Sequence, residues 1–464
     1  MTNLFRQVIN IKKESKNRLL SMLQSIVGIV SYFLVMRFVV KFLGLESVGL
    51  WSLTIGVLAF FRLLDLSGSL ALTRMVAIRM NDSDEQAKCV DTVSLFGLLL
   101  FSFLCLVFYF PLNNFLISSI QPELMPLGQK LFLIAIISLP INILSMAQLG
   151  ALDGLGRADV RSLINIFCYL IFISFGFYLI PFYGLVGLAY AQLAQYILSL
   201  VLARITLSRY IKNLRLLPIY WSSYILKDSI GYVAKIQATS APMMMLDPLM
   251  RVLISRLYGL EFLGLYDLGY KMSVYTRALI QSYLNPTLPE LTKVWLKSKN
   301  LAFEATVNLH KKYNNIIFAC FSALILLSPL SSILLLGVIN KEFIFIQSII
   351  GLGWGIATLF LPTNILAKAS NNLYYSIAGQ ILILLVSFIG FYICLPLDNP
   401  LTIPLSIIFG IISGSLLGFF GETLSIRKKL TKSYSNKYIV SLAKTSLLTI
   451  VLTCSILIFV NVIL

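Results

Sequence analysis

Apolar residues in this chain gather into thirteen windows of about 19 residues or more: 19–42, 48–70, 91–112, 130–150, 162–183, 185–206, 232–254, 262–284, 315–337, 343–366, 374–396, 402–423 and 440–463. Each is about as long as the ~20 residues that cross a hydrocarbon core. In a bilayer such segments must be helices, because an open strand would leave its backbone N–H and C=O groups unsatisfied. The first window is too long for a signal-peptide core, carries Arg37 and Lys41, and has no small-residue cleavage site after it. It is therefore expected to be retained.

The polar segments between the windows alternate in charge. With the N-terminus inside, the loops on the cytoplasmic face carry 26 Lys and Arg, and those on the other face carry only Lys130 and Lys341. The excess predicts a cytoplasmic N-terminus. It also accounts for most of the +18 net charge as a topology signal and a surface facing anionic lipid, so nucleic-acid binding is not needed. Charged residues make up 12% of the 464, against about 25% in soluble domains, and mean hydropathy is +0.88. These values exclude a water-soluble enzyme, a disordered chain or a DNA-binding domain.

Catalytic chemistry is thinly supplied. His310 is the sole histidine, and Cys89, Cys105, Cys168, Cys320, Cys394 and Cys454 lack CxxC spacing. No zinc site, His-based triad, metal or cofactor is expected. Five of the six cysteines lie inside apolar runs and read as small buried hydrophobes.

An internal repeat organises the chain. GLESVGLWSL at 44–53 recurs as GLEFLGLYDL at 259–268, an offset of 215 that also places Lys41 on Arg256, Glu46 on Glu261 and Arg62 on Arg277. Pro140-Ile-Asn-Ile-Leu144 recurs as Pro362-Thr-Asn-Ile-Leu366, and Gly176-Phe-Tyr178 as Gly390-Phe-Tyr392. Six spans per copy make the copies parallel, related by an axis along the membrane normal. The expected fold is an all-α polytopic membrane protein with two pseudo-symmetric six-helix lobes around a central cationic cavity, plus one extra C-terminal span. Its divisions are an N-lobe at 1–206, a basic, aromatic interfacial linker at 207–231, a C-lobe at 232–425, and a basic loop with span 13 at 426–464.

Charges inside the spans point to the site, since each costs roughly 2.5 to 3.5 kcal/mol near the bilayer centre unless it faces a cavity or a partner. Arg37, Arg62, Lys235, Arg251, Lys271 and Arg277 stand against Asp65, Asp247 and Asp267 in spans 1, 2, 7 and 8, the first two of each lobe. A cleft there with a net charge of about +3 suits an anionic ligand, and arginine suits phosphate through paired N–H groups. Two plainer readings stay open. Arg62 with Asp65 and Asp247 with Arg251 are spaced as ion pairs within one helix, and the whole set could be a basic vestibule that serves topology alone. Lys41, Arg256 and Lys444 sit near span ends and are expected to snorkel. Pro242 and Pro248 predict a kink beside Asp247 and Arg251.

Phe42-Leu-Gly-Leu-Glu-Ser-Val-Gly-Leu-Trp51, Leu63-Leu-Asp-Leu-Ser-Gly-Ser-Leu-Ala-Leu-Thr-Arg74 and Ala151-Leu-Asp-Gly-Leu-Gly-Arg157 resemble segments of the bacterial polysaccharide flippases, or O-antigen translocases, of the multidrug/oligosaccharidyl-lipid/polysaccharide exporter superfamily. The resemblance extends in layout over residues 1 to about 425. It implies two six-helix bundles and alternating access that moves an undecaprenyl-diphosphate-linked oligosaccharide from the cytoplasmic to the outer leaflet of the bacterial inner membrane, for O-antigen, capsule or related lipopolysaccharide-type surface polymers. Other polysaccharide-assembly proteins would be its partners. Arg37, Arg62, Arg251 and Arg277 fall where the resemblance implies a cationic lumen that holds the diphosphate, and Lys235 and Lys271 would add long-range attraction. Asp65 and Asp247 are the candidates for binding a coupling proton or sodium ion. The family has twelve or fourteen spans, and thirteen departs from that. A multidrug or small-solute exporter of the same superfamily is the main alternative, with an acidic rather than basic cavity expected. A membrane polysaccharide polymerase or ligase would need a large outside loop, and the largest here is about 113–129. The major-facilitator signature Gly-x-x-x-Asp-Arg is missing from 79–90.

Overall fold

The computed structural model describes residues 2–61, 69–79, 82–215, 217–218, 220–284, 287–370, 372–397 and 399–427. The thirteenth window lies outside them. The described residues are helical with no strand: α1 Thr2–Leu43, α2 Leu45–Ala59, α3 Ser69–Ile78, α4 Ser83–Ile117, α5 Met125–Gly154, α6 Ala158–Tyr183, α7 Leu185–Tyr210, α8 Ser223–Leu284, α9 Thr287–Lys297, α10 Lys299–Leu326, α11 Ser328–Leu336, α12 Lys341–Leu359, α13 Leu361–Ala369, α14 Tyr374–Cys394 and α15 Thr402–Arg427. They form two compact units, Met1–Glu261 and Phe262–Leu464, and α8 runs across the boundary.

Eight described helices are long and apolar enough to span a bilayer, or nine if α10 and α11, bent by 55° at Leu327, count as one broken span. These match nine of the predicted windows. The other three windows behave differently. The described residues of window 48–70 form the 15-residue α2 and a short turn of 3-10 helix, and windows 232–254 and 262–284 merge into the 62-residue α8. All three carry intramembrane charges, as window 19–42 also does at Arg37.

The repeat is visible in the backbone. Gly44, between α1 and α2, has φ 83° and ψ 172°; Gly259, its partner at the 215-residue offset, interrupts α8 at φ 82° and ψ 175°. That region is open essentially to glycine alone, so both copies break their helix at the same sequence point by the same means. Neither glycine has a neighbour within 4 Å of a built Cβ, which leaves backbone strain as the only penalty for a side chain. Gly44→Ala and Gly259→Ala are each expected to cost about 1–3 kcal/mol, read as a lowered unfolding midpoint of the detergent-solubilised protein. Gly231→Ala is the control: it sits in open space inside α8 and should hold or raise the midpoint.

In the first unit α5 is the central helix, with 18 buried residues, packed by α2, α3, α4 and α7. Leu72, Val90, Ala151, Cys168 and Leu207 close the core at one end. The segment after α7 is fastened to the start of α4: the Lys212 amide donates to Ser83 Oγ (2.7 Å), Asn213 Nδ2 to Asp84 (2.8 Å), and Thr92 Oγ1 to the Tyr220 carbonyl (3.4 Å). In the second unit α14 and α15 pack closely, since a Cβ on Gly379 would meet the Gly414 carbonyl at 2.5 Å. Small residues let helix backbones approach this way in membranes.

Candidate functional site

The described sequence-predicted cations fall into two groups. Arg251 and Lys271 are neutralised locally. Arg251 Nη2 lies 3.1 Å from Asp247 one turn away, and its Nη1 donates to the Ser52 carbonyl (3.1 Å), where Gly56 leaves room for the arginine stem. Lys271 Nζ lies 2.8 Å from Asp267, whose side chain is fully buried. The intrahelical ion pair, one of the two readings open for Asp247 and Arg251, is the geometry observed.

Arg37 and Arg277 are different. Arg37 is half-buried on α1, in the first unit, and makes no hydrogen bond or ion pair with another described residue. Arg277, in the second unit, lies with its guanidinium 4.3 Å from the centroid of the Trp354 ring, a cation–π stack, and has no acidic partner among the described residues. Its Nε is buried without a hydrogen bond, as is Nε1 of Trp354. Arg62, Asp65 and the side chain of Lys235 lie outside the described residues. Arg256 donates to Ser119 Oγ and Ser118 Oγ, both at 2.8 Å, just past the end of α4, which fits its expected place at a span end.

Two clusters escaped the search for charge excess. Arg204 was counted among the loop cations, yet it is 4% exposed and pairs across helices with Asp91 at 2.6 Å. In the second unit Asn364 Nδ2 donates to Ser376 Oγ (2.7 Å) and more weakly to Glu422 Oε1 (3.4 Å), while His310 Nε2 meets Thr363 Oγ1 at 2.9 Å. Lys368, just beyond window 343–366, completes this cluster. Burial holds its ammonium below the ordinary lysine range, the like charge of Arg277 pushes the same way, and Glu422 opposes both.

The first unit contains a polar pocket of about 280 Å³ between α1, α5, α6 and α7. Gln24, Asn142, Asn165 and Gln195 contribute amides to its wall, and Asp153 with Arg161 contribute an ion pair at 3.1 Å. These residues were missed because four are uncharged and the other two sit at span ends, where charge reads as topology. The available signal was amide residues recurring inside apolar windows.

The described residues, all helical and arranged in two units with apolar, charge-punctuated spans, are those of a multi-pass membrane protein. More narrowly, the fold is similar to that of transporters of the MOP superfamily. The MatE family model matches residues 21–178. An inward-facing multidrug resistance MATE family transporter of the MOP superfamily is similar at TM-score 0.76 and 15% identity, covering 88% of this chain and 99% of that one. The lipid II flippase MurJ, in an inward closed conformation, is similar at TM-score 0.68 and 16% identity over 97% and 99%. A MOP superfamily transporter from Pyrococcus furiosus Vc1 (DSM3638), described as having a binding pocket of reverse polarity, is similar at TM-score 0.65 and 17% identity over 89% and 96%. No curated protein sequence matches the chain.

Proposed function

We propose that the protein is a flippase that moves an undecaprenyl-diphosphate-linked oligosaccharide, the repeat unit of a surface polysaccharide such as O-antigen or capsule, from the cytoplasmic to the outer leaflet of the bacterial inner membrane. The observation that carries this reading is Arg277: a guanidinium inside an apolar segment, 4.3 Å from the centroid of the Trp354 ring and lacking an acidic partner among the described residues. Such a group is expensive unless an anion completes it. Arg37, likewise without a described partner, supports the same sign of ligand. Arg62, Arg251, Lys235 and Lys271 belong to the proposed cationic lumen, but Arg251 and Lys271 enter it as ion pairs and contribute less net charge. A coupling proton or sodium ion would be taken by Asp65, or by Asp247 in competition with Arg251. One of the similar structures is by its description a lipid II flippase, which favours a lipid-type substrate here.

The multidrug exporter is the second reading, favoured by the description of the MATE structure to which the fold is similar. Proteoliposomes separate the two. Reconstituted protein should accelerate transfer of a fluorescent undecaprenyl-diphosphate oligosaccharide between leaflets and leave the efflux of a lipophilic cationic dye at the protein-free rate. Dye efflux without transfer of the lipid-linked sugar would replace the flippase with the exporter.

A further inference from the structure

The polar pocket of the first unit is hard to explain as packing. It lies among apolar spans, yet Asn142, Asn165 and Gln195 line it and make no hydrogen bond to another described residue. Gln24, whose side chain hydrogen-bonds Tyr169, keeps a buried Oε1 without a partner. Other members are already satisfied: Ser145 Oγ donates to Ser199 Oγ at 2.7 Å, and Tyr196 is bonded by Gln192. Beside the Asp153–Arg161 ion pair, the members with no described hydrogen-bond partner are therefore the carboxamides of Asn142, Asn165 and Gln195.

The repeat supplies an internal comparison. Asn142 and Asn364 occupy the same place in the two Pro-x-Asn-Ile-Leu segments. In the second unit Asn364 is consumed by Ser376 and Glu422. In the first unit Asn142 lines the pocket, and the helices around it contribute more amides beside the Asp153–Arg161 pair. One copy of the repeat fills this position from within, and the other leaves it open.

The chemistry of the open copy narrows its occupant. Asp153 and Arg161 neutralise each other, so the wall has no net charge to select an ion. A metal cation would need several converging oxygen ligands with anionic charge, and an organic cation an uncompensated carboxylate. Each carboxamide offers two donors and an acceptor with two lone pairs, and a sugar hydroxyl both donates and accepts. A volume of 280 Å³ lies just below the ~300–1,000 Å³ of small-molecule sites, on the scale of one sugar ring. Tyr169 adds an aromatic face, and Gly28 of α1 makes room for it: a Cβ there would meet the ring at 2.9 Å.

We propose that this pocket is a saccharide site that takes one neutral pyranose unit, with Asn142, Asn165 and Gln195 as its hydrogen-bonding residues. The proposal rests on the reading of the transported substrate as a saccharide and assigns a place for part of it. The test is saturation-transfer NMR on the full chain in nanodiscs, with methyl glycosides of glucose, galactose, mannose and N-acetylglucosamine as probes. At least one glycoside should receive saturation. Asn165→Leu and Gln195→Leu should each reduce it at least fivefold, whereas Lys311→Ala, at an exposed site on α10, should not change it. If the leucine variants fail to fold by their unfolding midpoints, Asn142→Ala carries the comparison. No transfer to any glycoside, transfer insensitive to these substitutions, or displacement of the glycoside by a tetraalkylammonium ion would each overturn the site. The two proposals fail separately. Glycoside binding without leaflet transfer keeps the site and removes the flippase, and leaflet transfer without glycoside binding does the reverse.

Discussion

Arg277→Ala protein should bind the lipid-linked saccharide about tenfold to a hundredfold more weakly than wild type, because a hydrogen bond to a charged group contributes roughly 1.5 to 3 kcal/mol. The geometry explains why this arginine should dominate the set. Its guanidinium carbon lies 4.3 Å from the centroid of the Trp354 ring, itself 3% exposed, and this contact limits where its N–H groups can be before the ligand arrives. No described carboxylate competes for them. Arg277→Lys keeps the charge and loses the planar fork, so it should recover only part of the affinity. The measurement is equilibrium binding of the lipid-linked saccharide to purified protein, with the unfolding midpoint alongside to separate lost affinity from lost packing on Trp354. Affinity equal to wild type in a stable Arg277→Ala protein would reduce the cation to a topology device. Arg251→Ala should behave differently, since it leaves Asp247 and the Ser52 carbonyl without their partner. Its effect should appear in the yield of folded protein before it appears in affinity.

The contrast between these arginines shows what sequence can and cannot reveal here. Window length and composition located the helices of most of the described chain, because a bilayer leaves few alternatives to a ~20-residue apolar helix. The 215-residue offset located both Gly44 and Gly259, whose backbone angles then agreed within a few degrees. Charge inside a span also pointed correctly to residues with unusual surroundings. It could not say which cations were already paired: Asp247 four residues before Arg251 and Asp267 four before Lys271 are spaced to pair on a helix, but spacing does not fix rotamers. Cross-helix partners were beyond reach altogether, because Asp91 and Arg204 lie 113 residues apart. The saccharide pocket was invisible for a further reason. Its hydrogen-bonding groups are neutral amides, which a search for intramembrane charge passes over, and only the approach of four helices makes them a set.

The Arg204–Asp91 pair leads to the second large effect, on folding rather than transport. Its side chains are 5% and 7% exposed, their closest atoms are 2.6 Å apart, and the pair joins α7 to α4 where the segment after α7 is fastened. Removing one partner of a buried pair strands the other charge in a low-dielectric setting, at a cost of about 3–5 kcal/mol. Arg204→Ala and Asp91→Ala should therefore each lower the unfolding midpoint sharply and reduce the yield of monodisperse protein. Replacing both with apolar residues of similar volume, as in Arg204→Met with Asp91→Leu, should restore much of the loss, because hydrophobic substitutes for a buried ion pair are often neutral or stabilising. Thermal unfolding of the two single variants and the double variant forms a cycle that isolates the coupling. If the double variant loses as much as the sum of the singles, the two side chains act independently and the pair is not what ties α4 to α7. If it recovers, the pair is a structural tie between α4 and α7, and Arg204 drops out of the cytoplasmic surface charge that was counted from sequence.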